Sequence, residues 1–210
     1  MWWIAGPALL VLLLAAAAWG PVVSSRVEQP QYRVVAEAAP FEIRDYGPMI
    51  VAETAVTGPR EVAINAGFRR IADYIFGNNT ASAKVAMAAP VARQVGENIA
   101  MTAPVLQESD SGVWRVRFIM PAAYTLETLP KPNNPEVVLR PIEGRRFAVV
   151  RFSGRASADN LARHGAMLDN FIRERGLQSL SGPTYAFYNP PWTLPMLRRN
   201  EVLIEVTKSD

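Results

Sequence analysis

Apolar and polar positions change period several times along the chain, and each change marks an element. Phe41–Tyr46 alternates Phe41 and Ile43 with Glu42 and Arg44, the pattern of a half-buried strand. Gly47-Pro48 breaks the run, Met49–Thr57 reads as another strand, and Gly58-Pro59 breaks it again. From Arg60 to Phe76 the period becomes helical, with Ile64, Phe68, Ile71 and Ile75 on one face. Pro59 suits the helix's first turn and Gly77-Asn78-Asn79 its end. Upstream, Ser24–Pro40 is polar and proline-punctuated, a tether merging into a first strand near Tyr32–Val35.

The same order returns. Val137–Ile142 alternates, Arg145–Phe152 is a strand, Gly154 breaks it, and Ser157–Arg175 is a helix ending at Gly176. A shift of 96 residues superposes Arg44 on Arg140, Ala52 on Ala148, Gly58 on Gly154, Ala66 on Ala162 and Asp73 on Asp169. It also matches Ile43 with Leu139, Val56 with Phe152, Ile71 with Met167 and Ile75 with Phe171. The pattern predicts an internal duplication with pseudo-twofold symmetry.

A smaller echo separates the halves. Ala86-Met87-Ala88-Ala89-Pro90-Val91 recurs fourteen residues on as Ala100-Met101-Thr102-Ala103-Pro104-Val105, with Gly96-Glu97-Asn98 between them as a turn. A hairpin is predicted, with each proline at an edge, a bulge or a position whose missing N–H does no harm. Val113–Met120 adds a strand, Pro121–Pro135 a connector, and Tyr185–Tyr188 and Glu201–Val206 are strands flanking the loop Asn189–Asn200. Many antiparallel strands with two amphipathic helices make an α+β fold.

Composition then narrows the class. The chain has 210 residues, is 50 % hydrophobic, and carries 22 Lys+Arg against 19 Asp+Glu, which excludes wholesale disorder. It has no cysteine, which removes disulfides and every thiolate metal site. Its basic residues are scattered rather than striped, which argues against a nucleic-acid partner.

No charged residue precedes Arg26, and Trp2–Val23 as a helix would reach about 33 Å, enough for a bilayer core. Residues 1–25 therefore read as a membrane anchor or signal segment. Trp2, Trp3 and Trp19 flank the run as interfacial aromatics, which favours an anchor inserted through residues 2–23. The alternative is a signal sequence cleaved after the alanines at 15–18, giving a secreted or periplasmic protein. We expect the domain on the extracytoplasmic side, although Arg26 and Arg33 do not favour export by the positive-inside rule.

Catalytic constellations are missing from the sequence. His164 is the one histidine, no Gly-x-Ser-x-Gly elbow or His-Glu-x-x-His string occurs, and no carboxylate pair has distinctive spacing. A non-enzymatic binding module is expected.

Several strings resemble the SOUL haem-binding family. They are Phe41-Glu-Ile-Arg-Asp-Tyr-Gly47, Ile99-Ala-Met-Thr-Ala-Pro-Val105, Phe118-Ile-Met-Pro121, Val149-Val-Arg-Phe-Ser-Gly154, Tyr188-Asn-Pro-Pro191 and Arg198-Arg-Asn-Glu-Val202. The resemblance covers roughly residues 32–207, after the tether and first strand of 26–40. It implies two pseudo-symmetric halves, each a curled antiparallel sheet with one helix, closing into a distorted barrel; the N-terminal hydrophobic helix read above precedes this domain and lies outside the match. It implies haem or another tetrapyrrole as ligand, sequestered or handed on. The alternative is an envelope-associated interaction module holding another apolar effector or none.

The family's cleft lies between a flank of the first helix and the loop before the last strand. That places Phe68, Arg69, Ala72 and Phe76 on one side and Trp192, Met196, Arg198 and Arg199 on the other. The aromatics would cover the macrocycle, and the arginine forks would meet its propionates. Asp73 on the same flank would repel them. His164 lies in an apolar arc with Leu161, Gly165, Leu168 and Phe171. It reads first as a core histidine bonded to backbone and second as an axial ligand. Met87 and Met101 read as packing.

Overall fold

A computed structural model describes residues 27–81, 96–190 and 192–207. The hydrophobic segment at 2–23 and the first copy of the echo, Ala86–Val91, lie outside them. Among the described residues, no helix is long and apolar enough to cross a membrane.

The alternating runs become β1 (Tyr32–Ala38), β2 (Phe41–Tyr46) and β3 (Met49–Thr57), and the first helical run becomes α1 (Arg60–Ile75). Two-residue β4 (Asn79–Thr80) follows, then β5 (Val105–Asp110), β6 (Val113–Ile119), two-residue β7 (Lys131–Pro132), β8 (Val138–Ile142) and β9 (Arg146–Phe152). The second helical run is α2 (Ala158–Glu174), followed by β10 (Thr184–Phe187) and β11 (Asn200–Glu205). Both helices end in the same way. Gly77 and Gly176 take positive φ, which turns the next amide back: Asn78 N–H bonds Asp73 O at 3.0 Å, and Leu177 N–H bonds Ile172 O at 3.0 Å.

Nine strands make one antiparallel sheet in the order β1-β2-β9-β11-β10-β5-β6-β3-β8, while β4 and β7 pair separately. The fold is α+β, a curled sheet with two helices. Its two ends, β1 and β8, are edges, so the sheet is an open half-barrel rather than the closed barrel expected.

Period-two alternation sorts the core onto two faces. On one face α2 buries Leu161, Leu168, Phe171 and Ile172 against Ile43, Val150, Phe152 and Val202. On that face α1 buries Ile71, Tyr74 and Ile75 against Ala52, Val116 and Phe118. The opposite face gathers Tyr46, Val149, Ala186, Tyr188 and Leu203 without a helix.

Two expectations shift. The strand after the turn begins at Val105, not Ala100, because Pro104 has no N–H to donate to a ladder. Its neighbours bond elsewhere: Ala103 N–H to Glu28 O, and Thr102 Oγ1 to Ile119 O. The helices begin at Arg60 and Ala158, 98 residues apart. Met167, which the shift of 96 set against buried Ile71, is exposed.

Candidate functional site

The first and last of the strings that carry the resemblance meet inside the protein. Arg44 from the first donates to Glu201 from the last through Nη1 at 2.9 Å and Nη2 at 3.1 Å, and their side chains are 1 % and 0 % exposed. Arg199 adds Nε and Nη2 bonds to Glu201 Oε1 at 3.0 and 2.8 Å, and the Tyr188 hydroxyl donates to Oε2 at 2.8 Å. Arg44 also donates Nε to Glu42 at 2.6 Å and Nη1 to the Tyr46 hydroxyl at 3.1 Å. Burial alone would raise the Glu201 carboxyl, but the bonds and charges of Arg44 and then Arg199 outweigh it and lower its pKa. Burial first, and then the Glu201 charge, raise the Tyr188 phenol.

This network fixes what Arg199 can do. Its guanidinium lies 3.8 Å over the Tyr188 ring and sends Nη1 to Gln29 Oε1 at 3.2 Å. A propionate at Arg199 would meet a cation already paired with Glu201.

The helix-free face holds a cavity of about 370 Å³ over Tyr46, Met49, Leu106, Phe147 and Leu203. Its charge does not suit a dicarboxylate. Glu53, Glu108 and Glu205 are only 13, 25 and 19 % exposed, whereas one guanidinium, Arg117 at 20 %, is comparably buried. Arg140 and Arg145, at 59 and 49 %, stand at the rim and pair with Glu53 at 3.2 Å and Glu205 at 2.7 Å, so each of the three carboxylates already faces a guanidinium.

Helix α1 and its C-cap carry Phe68, Arg69, Ala72 and Phe76, four of the residues expected from sequence. Phe68 is exposed with its ring 5.2 Å from Phe118, Arg69 Nε bonds Asn65 O at 3.3 Å, Ala72 is half-buried and Phe76 is exposed. Asp73 accepts from Asn78 Nδ2 at 2.5 Å. In the loop before β11, Trp192 and Met196 are 74 and 69 % exposed. Met196, Arg198 and Arg199 line a cavity of about 560 Å³ with Phe41 and Arg151, opposite Glu37 and Glu42. The four α1 residues do not line that cavity. Met101 is 42 % exposed. His164 is half-buried, stacked 3.9 Å from the Phe152 ring, with Nδ1 2.7 Å from Asn160 O. Its Nδ1 is thereby committed to backbone, so the neutral tautomer carries its proton there.

Sequence reasoning passed over Arg60, where the expected halves approach each other. Its Nη1 reaches Ala156 O at 3.5 Å, and two residues earlier Gly154 N–H bonds Pro195 O of the loop at 2.8 Å. Burial lowers the Arg60 pKa, though a guanidinium stays charged throughout. One signal was available: Arg60, Ile64, Phe68, Ala72 and Phe76 recur every four residues, so the stripe began about two turns earlier than the residues named.

An open, curled antiparallel sheet with two helices on one face defines the α+β class of the protein. The family model described as SOUL heme-binding protein matches residues 27–205, and the chain belongs to that family. Human Heme-binding protein 2 is 28 % identical over 182 residues, covering 84 % of each chain. Among solved structures, the EcmrR C-terminal domain has a TM-score of 0.56 at 10 % identity, over 85 % of this chain and 99 % of that one. A hydrolase from Listeria innocua has 0.54 at 15 %, over 82 % and 94 %. At such identities the likeness is one of fold alone.

Proposed function

We propose that this protein is a non-enzymatic haem- or tetrapyrrole-binding module that holds its ligand on the helix-bearing face of the sheet. Family membership and the human relative support the ligand class. The observation that carries the choice of face is electrostatic: in the opposite cavity Glu53, Glu108 and Glu205 are each already paired with a lining arginine, Arg117, Arg140 or Arg145, so a propionate there would have to break an ion pair. In this reading Phe68, Ala72, Phe76, Trp192 and Met196 cover the macrocycle, and Arg69 and Arg198 stand at its edge. Burying the macrocycle's apolar faces drives binding, at roughly 25 cal/mol per Å² before ordering costs. The strand order supports descent from a duplication, since β8-β3-β6-β5 from one end answers β2-β9-β11-β10 from the other.

Titration of the full-length protein in detergent with haemin gives saturable binding and tryptophan quenching. Trp192→Ala weakens it about tenfold by removing an aromatic contact. His164→Ala, in a chain that circular dichroism shows folded, leaves affinity and the Soret band nearly unchanged. A spectrum abolished by the histidine change would make it the axial ligand instead.

The uncharged segment 2–23 supports a membrane tether. The full-length chain then fractionates with membranes and resists high-salt extraction, because salt does not screen hydrophobic insertion. A shortened chain in the soluble fraction would mark a cleaved signal.

A further inference from the structure

Helix α1 packs on β3 and β6, and α2 on β9 and β11, so β10 and β5 run between the two helices. Register decides what they present there. Tyr185 sits opposite Val202 and Gln107, and Phe187 opposite Asn200 and Val105, on the helix-bearing face. Trp114 and Phe118 of β6 share that face with buried Val116 by the alternation of the strand.

Arg60, the first residue of α1, lies over this floor. Its Cζ is 5.7, 6.0 and 5.9 Å from the ring centroids of Trp114, Tyr185 and Phe187. Nη2 donates to Gln107 Oε1 at 2.8 Å, Nη1 reaches Ala156 O, and Nε is buried without a partner. Arg44, Arg117, Arg146 and Arg199 are half-buried or buried too, and each faces a carboxylate. Among the described residues Arg60 forms no ion pair. A half-buried cation held by neutral groups and ring faces keeps much of its desolvation cost uncompensated, and an incoming carboxylate would offset it.

We infer that Arg60 anchors a carboxylate of the tetrapyrrole, with the macrocycle lying in the groove between the helices. This rests on the tetrapyrrole reading above. The geometry explains why this arginine serves better than its neighbours. It begins the stripe that continues through Ile64 to Phe68, and it is one short link, Gly154–Ala156, from the loop that presents Trp192 and Met196. A propionate meets two terminal N–H groups of a fork already steadied by Gln107, without having to break an ion pair.

The test uses the full-length protein in detergent with metal-free protoporphyrin IX and its dimethyl ester, so that axial ligation plays no part. Wild type should bind the diacid about tenfold more tightly than the ester. Arg60→Met should remove that preference, weakening the diacid about tenfold and the ester less than twofold, while Arg60→Lys restores part of it. A merely structural arginine would lower both ligands alike, and that result would overturn the anchor. So would wild type binding diacid and ester equally, which remains decisive even if Arg60→Met does not fold. Equal binding leaves the tetrapyrrole reading standing, whereas binding of neither porphyrin by wild type overturns both.

Discussion

Glu201→Leu lowers the unfolding free energy by about 3–5 kcal/mol in denaturant titration, because it strands Arg44 in a site where that side chain is 1 % exposed. Arg199 loses its ion-pair partner as well, and the Tyr188 hydroxyl loses its acceptor. The double change Arg44→Met with Glu201→Leu recovers part of the loss, since only the half-buried Arg199 then faces the missing carboxylate. Acid unfolding carries a matching signature. The Glu201 pKa is lowered on folding and Asp45 falls to about 2, held first by the Arg146 hydrogen bond. A depressed carboxyl contributes its stability above the unfolded value, near 4, and loses it as pH falls through the folded value. Wild type therefore weakens as pH drops from about 4 toward 2, and the Glu201→Leu chain weakens less steeply over the same window. Equal slopes would show that Glu201 is not the coupled group.

Gly96→Ala costs about 3 kcal/mol by the same titration. A Cβ at Gly96 would fall 1.6 Å from Gly77 O, with the other close atoms, Gly77 C and Cα, also backbone, so no side chain can swing away. The contact closes a small polar clasp at the end of α1. Asn79 Nδ2 donates to Tyr74 O and Glu97 O at 2.8 Å each, Glu97 N–H returns to Asn79 Oδ1 at 2.9 Å, and Ile99 N–H bonds Ile75 O. The alanine chain would lose hydrogen-exchange protection first at Glu97 and Ile99. An unchanged midpoint would mean that the two backbone segments are not packed this closely.

The elements were legible because each rule that produced them is local. Alternation over Phe41–Tyr46 and Arg145–Phe152, and the four-residue spacing from Ile64 to Ile75, report burial through the chain's own geometry. Gly77 and Gly176 report helix ends because few other residues tolerate those φ values. The echo at Ala100–Val105 misled for a local reason as well. Its prolines repeat, but a proline cannot donate into a ladder, and the strand waited for Val105.

The candidate site was only half legible. Exposed aromatics such as Phe68 and Trp192 stand out from a helical stripe or a proline-rich loop, whereas the meaning of an arginine depends on what it meets. Arg198-Arg199 looked like a propionate clamp, but Arg199 serves Glu201, and Glu201 in turn holds Arg44, 157 residues away along the chain. Arg60 looked like an ordinary first helical residue. Only strand register brings Trp114, Tyr185 and Phe187, from two strands distant in sequence, around its guanidinium.

By itself the sequence determined the α+β class, the strands and both helices, the family and the uncharged N-terminal segment, all of which follow from residue type and short-range spacing. Tertiary structure alone decided which edges stay open, which face carries the helices, and which arginines are already matched to a carboxylate. Charge pairing and solvent screening depend on distances through space, and no local pattern along a chain encodes those distances.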